Sequence, residues 1–173
     1  MPLTYTRISH LTVGSGGAAS IEFTSIPQTY TDLQILYSVR SDNTATNWNN
    51  MKLAFNGSTA NGSWKYIAMY NNNIANGSVT GQVEVWINFN NSSSNTFSNS
   101  SVYIPNYTSS SNKAISIDTA AEGMAQDQII GQVTGLWSNS AAITSISVTP
   151  SSGSFMQHST ATLYGIKKDY PQT

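Results

Sequence analysis

The chain has 173 residues, a length at which one domain buries roughly 70% of its unfolded surface, so a packed core is available without covalent staples. It contains no cysteine, which excludes disulfides, thiolate chemistry and sulfur-ligated zinc, and only 9% of it is Asp, Glu, Lys or Arg, against about 25% in an average soluble domain. A net charge of −1 leaves no basic footprint for a nucleic-acid backbone and no polybasic patch for an anionic membrane, so neither is an expected partner.

From the N-terminus, Met1 to Arg7 lacks a charged stretch followed by an apolar one, so no Sec-type signal peptide is expected. No later run reaches the ~18 apolar residues of a membrane span. Residues 1–17, ending in Gly14-Ser15-Gly16-Gly17, read as an extended arm outside the folded body, and residues 169–173 as a short tail.

Between these ends period-2 alternation dominates, and no segment of ten residues or more holds an amphipathic helical pattern. A first strand is predicted at Ser20 to Phe23. From Leu33 the residues Leu33, Ile35, Tyr37 and Val39 alternate with Gln34, Ser38 and Arg40, the mark of a strand with one buried face. Met51, Leu53 and Phe55 repeat it, followed by strands at Trp64 to Tyr70, Gln82 to Phe89 and Ser100 to Ile104. Ile115 and Ile117 alternate with Ser116 and Asp118.

Gln128 to Trp137 places Ile129, Gly131, Val133, Gly135 and Trp137 on one face, where inward glycines leave room for an aromatic ring or a close backbone. Ile143 to Val148 and Ala161 to Lys167 complete the set. Asn56-Gly57, Asn61-Gly62, Asn76-Gly77 and Ser151-Ser152-Gly153 read as turns, and the Asn-rich stretches Ser41 to Asn50 and Asn88 to Phe97 as the longest loops. About ten short strands without a change of composition imply a single all-β domain over residues 1–173: a two-sheet antiparallel sandwich, jelly-roll-like.

Catalytic chemistry finds little support in the residues. His10 and His158 have no histidine or carboxylate at ligand spacing, so no transition-metal site is expected. Among the eight carboxylates, Glu84 and Glu122 are the pair to test for a glycosidase, which needs two acids about 5–10 Å apart across a groove. Asp42-Asn43 and Glu122 to Asp127 are candidate calcium ligands, although neither matches a defined loop pattern. No nucleophile elbow or phosphate-cradling loop occurs. Asn-x-Ser/Thr triplets such as Asn56-Gly57-Ser58 are expected by chance in this composition. The expectation is therefore a non-enzyme without cofactor or metal.

A polar but nearly uncharged surface lets many copies crowd without repulsion, which points to an assembled life. The aromatic residues are the remaining contact candidates. Trp48, alone in a polar loop, and Tyr107 are the candidate surface contacts, with protein or sugar as the partner.

Two phrases, Phe23-Thr24-Ser25-Ile26-Pro27-Gln28-Thr29-Tyr30-Thr31-Asp32-Leu33 and Val102-Tyr103-Ile104-Pro105-Asn106-Tyr107, each set an Ile-Pro at a strand end with a tyrosine beyond it that can anchor the corner. Together with Gly135-Leu136-Trp137-Ser138, Ile143-Thr144-Ser145-Ile146 and Ala161-Thr162-Leu163-Tyr164-Gly165-Ile166-Lys167, they make residues 18–168 resemble virion structural proteins of tailed bacteriophages of aquatic bacteria. That resemblance implies a sandwich fold, an oligomer with three copies favoured, and a place on the particle surface after synthesis in the host cytoplasm.

What it implies first is a head decoration (cement) protein bound to the major capsid protein or other virion proteins. The alternative is a tail-fibre or receptor-binding module contacting host surface glycans. No binding residue carries over from the resemblance.

Overall fold

The computed structural model describes residues 4–44, 49–70, 72–123 and 128–167. Twelve strands occur in this order: β1 (Thr4–Thr12), β2 (Ile21–Phe23), β3 (Asp32–Val39), β4 (Asn49–Phe55), β5 (Gly62–Tyr70), β6 (Asn73–Gly81), β7 (Val83–Ile87), β8 (Ser98–Ile104), β9 (Lys113–Glu122), β10 (Gln128–Trp137), β11 (Ile146–Pro150) and β12 (Thr160–Lys167). They form two antiparallel sheets, so the predicted all-β sandwich stands. The division is unequal: eight strands in the order β1-β12-β3-β8-β9-β10-β5-β6 face four in the order β2-β11-β4-β7.

The alternation read from sequence is the alternation observed. Leu33, Ile35, Tyr37 and Val39 are buried in β3, Met51, Leu53 and Phe55 in β4, and Ile129, Val133 and Trp137 in β10. With Val85, Val102, Ile104, Ile115, Ile117 and Val148 from the facing strands, most of these side chains fill one continuous core between the sheets. Each fully buried aliphatic side chain contributes roughly 1.5–3 kcal/mol by leaving water.

The phrases that carry the resemblance prove to be corner architecture. The Tyr107 hydroxyl donates to the Pro27 carbonyl, which ties one Ile-Pro corner to the other. Asp32 accepts from the Tyr103 hydroxyl at 2.6 Å and from the Asn106 amide at 2.9 Å. Tyr30 lies across the backbone of Gly165, where a Cβ would come within 2.3 Å of its ring.

Three expectations are corrected. Residues 4–12 are no arm: they form β1, paired with β12 at the edge of the large sheet, and Val13 after them is buried. The tail at 169–173 lies outside the described residues. Asn76-Gly77 is no turn but the middle of β6, a strand the sequence hides because it lacks an alternating apolar face and is exposed along nearly its whole length. Tyr107 is no surface contact, since its side chain is fully buried and its hydroxyl is used in the corner.

Candidate interaction surface

The mismatch of eight strands against four leaves part of the large sheet uncovered. The edge strand β7 packs over β9, β10 and β5, and β6 lies one strand further out. Chain geometry enforces this arrangement. Gly81, at φ 102°, and Gln82 carry the chain from β6 in the large sheet to β7 in the small one, and β7 then packs over β5, β10 and β9. Gly62 makes room for this corner, because a Cβ there would meet the Gln82 backbone at 2.7 Å.

Aromatic rings close the sandwich where the overhang begins. Trp64 and Tyr66 on β5 and Trp86 on β7 pack mutually, with centroids 5.0 Å apart for Trp64–Tyr66, 5.9 Å for Trp64–Trp86 and 5.0 Å for Tyr66–Trp86, the last two edge to face. Glycines accommodate them: a Cβ at Gly131 would lie 2.7 Å from the Trp86 ring, and one at Gly77 would lie 2.8 Å from the ring of Tyr66. The inward glycine of β10 thus makes room for an aromatic ring, as its position in the alternation predicts. Between Tyr66, Ala68, Tyr70, Ala75, Trp86 and Ile129 lies an open cleft of about 180 Å³.

On the opposite, outer face the register aligns Ile74 of β6 with Met69 of β5, Ile130 of β10 and Ala120 of β9. Ile74 is 73% exposed, Ile130 63% and Met69 51%, and Ile67 lies beside them, also exposed. Side chains opposite one another on neighbouring strands sit about 5 Å apart, so these residues make a continuous apolar row. Lys65 is the one charged residue that β5, β6 and β10 present on this face.

The residues singled out for chemistry are held elsewhere, each by its own partners. Glu84 accepts from Asn50 at 2.9 Å and from Gln82, while Glu122 accepts from Thr96 at 2.9 Å and from Ser93. The two carboxylates lie in different sheets and share none of these donors. Burial pushes the Glu122 carboxyl up, but the Ser93 and Thr96 hydrogen bonds and the charge of Arg40 outweigh it and hold the group below the usual carboxylate range. That is opposite to the shift a general acid requires.

Arg40 is buried and donates to the carbonyls of Asn90, Ser92, Ser93 and Thr96 at 2.6–3.1 Å. With Glu122 it pins the Asn-rich loop that follows β7. Burial lowers the Arg40 pKa, and the neighbouring Glu122 charge works against that shift. Lys113, also buried, plays the same part at the other corner. Its Nζ donates to the carbonyls of Ser109, Ser111 and Ala141 at 2.7 Å each and lies 5.7 Å above the Trp137 ring. Sequence reasoning missed both cations, since a Lys or Arg at a strand end carries no signal that it gathers carbonyls.

His10 binds the hydroxyls of Thr162 and Thr12 on the outer face, and His158 sits at φ 73° in a loop. Asp42 accepts from the Ser154 amide at 2.7 Å. Among the described residues no group of three or more His, Asp or Glu side chains is placed to hold a metal ion. Most of the second calcium candidate, residues 124–127, and Trp48 lie outside the described residues.

No protein-family model matches the chain, and no curated protein matches it. A structure described as the CBM2 module of the evolved Dit of Lactobacillus casei BL23 phage J-1 shares 10% identity with it, covering 87% of this chain and 70% of that one at a TM-score of 0.26. A likeness of that size carries no argument about function.

Proposed function

We propose that this chain is a non-enzymatic structural protein of a bacteriophage particle, displayed on the virion surface and acting through protein–protein contacts. In the leading form of this reading it is a head decoration protein that sits as an oligomer on the major capsid protein and stabilises the shell. The observation that carries it is the apolar row Ile74, Met69, Ile130 with Ile67, exposed on an otherwise almost uncharged sheet face. Contiguous exposed apolar side chains rimmed by polar ones mark interaction sites on folded proteins. The phage assignment itself rests on the sequence phrases given above.

A second reading, a tail module that grips host glycans, is favoured by the cleft between Tyr66, Tyr70 and Trp86, because aromatic faces with a polar handle suit sugar rings. A density map of the intact virion separates the two. Copies distributed over the head lattice support decoration, copies confined to the tail tip support glycan binding, and absence from the particle overturns both.

A further inference from the structure

Among the described residues the sandwich has four edge strands, and three of them carry a device that discourages pairing with another chain. β1 holds Arg7 and a register shift between Arg7 and Ser9. β2 is three residues long with Glu22 at its centre, and β7 is five residues long and carries Glu84. Short length, charge and bulges are the usual protections of an open edge. β6 has none of these: it runs nine residues, Asn73–Gly81, contains no charged residue and no proline, and pairs with β5 without a register shift. Among the described residues no strand pairs with its outer side, so the alternate N–H and C=O groups of residues 74–81 that point away from β5 face no described strand.

We infer that β6 pairs antiparallel with β6 of a second copy of this chain, making a two-fold dimer in which the two eight-stranded sheets join edge to edge. A second copy suits this edge for reasons of composition. Across a two-fold axis every residue meets a residue of the same strand, so a charged strand would set like charges close together, and β6 has none to set.

Centred on Gly77, the pairing places Ala75 against Val79 of the second copy on the inner face and Asn76 against its Ser78 on the outer face. Ile74 then meets Thr80 of the second copy, and the apolar row of each sheet ends at the seam between the two strands, three residues along from the dyad. Gly77 at the centre offers no side chain to obstruct it, because its own Cβ space is occupied by the Tyr66 ring. The pairing specifies the self-contact of the assembly reading and rests on it. It also fixes the symmetry at two, where the resemblance favours three.

The test is native mass measurement across a concentration series on the full chain and on two exposed double variants, with circular dichroism to verify that each remains folded. The unaltered chain should be a dimer. Asn76→Lys with Ser78→Lys sets lysine against lysine twice across the dyad and should raise the dissociation constant about tenfold or more at low salt. Asn76→Lys with Ser78→Glu sets opposite charges in the same places and should restore the dimer.

A monomer at all concentrations, a trimer, or a dimer indifferent to both variants overturns the inference. Sedimentation of the chain with virions that lack it tests the assembly reading separately. A monomer that binds particles overturns the edge pairing alone, and a dimer that binds none overturns the assembly reading alone.

Discussion

The two-layered body and the overhanging β5–β6 hairpin are built from the same kind of residue and use it in opposite ways. In the body, aliphatic side chains on β3, β8 and β9 face those on β4 and β11 and vanish from solvent. In the hairpin, Ile67, Met69 and Ile74 face water. The difference lies in the face they occupy: the inner face of the large sheet meets the small sheet, while Ile67, Met69 and Ile74 lie on its outer face, against which no described strand packs. An apolar side chain stabilises a fold only where another layer removes it from water, so these outer-face residues, unlike Trp64 and Ala68 on the inner face of β5, do little for this chain alone and are available to a partner.

Matched truncations put that contrast to its most severe trial. Ile35→Ala, at a position with no exposed surface, should cost about 2–5 kcal/mol in a denaturant titration, whereas Ile67→Ala, 55% exposed, should stay within about 0.5 kcal/mol. Equal losses would erase the distinction between the regions. Next in size, Lys113→Ala leaves the carbonyls of Ser109, Ser111 and Ala141 without their shared donor and should cost about 2–4 kcal/mol in the same assay.

At the seam between the regions, Gly131→Ala drives a methyl into the Trp86 ring and should cost about 1–3 kcal/mol, with a change in tryptophan emission. The smallest expected effect is that of pH. Glu122 has a depressed folded pKa, so its contribution is full above the unfolded value of about 4.3 and disappears as pH falls through the lower folded value. Glu122→Gln should lower the neutral plateau of a stability–pH curve and flatten its acid limb in that window.

What the sequence disclosed follows the same division. Leu33 to Val39 and Gln128 to Trp137 were legible because one face of each is buried, and burial is what imposes alternation on a sequence. Gly131 was legible as space for a ring for the same reason. β6 was not, because a strand with neither face covered has no reason to alternate, and its Asn76-Gly77 imitates a turn. β1 reads as an arm because its residues Thr4-Tyr5-Thr6-Arg7 carry the polar pattern of an edge. Tyr107 reads as a surface residue because a tyrosine that anchors a corner and one that meets a partner look alike in sequence, and only the Pro27 carbonyl beside its hydroxyl distinguishes them. The interaction surface escaped for a physical reason too, since its apolar row crosses strands that sequence order separates, Ile74 and Met69 from Ile130.

The uncovered hairpin as the binding element is tested most directly by hydrogen exchange, measured peptide by peptide on the full chain at concentrations below and above its association. Residues 73–81 should exchange fast in the dilute chain and slow markedly on association, while β3 and β9 stay protected throughout. Protection that appears on β1, β2 or β7 instead, with 73–81 unchanged, would contradict the account.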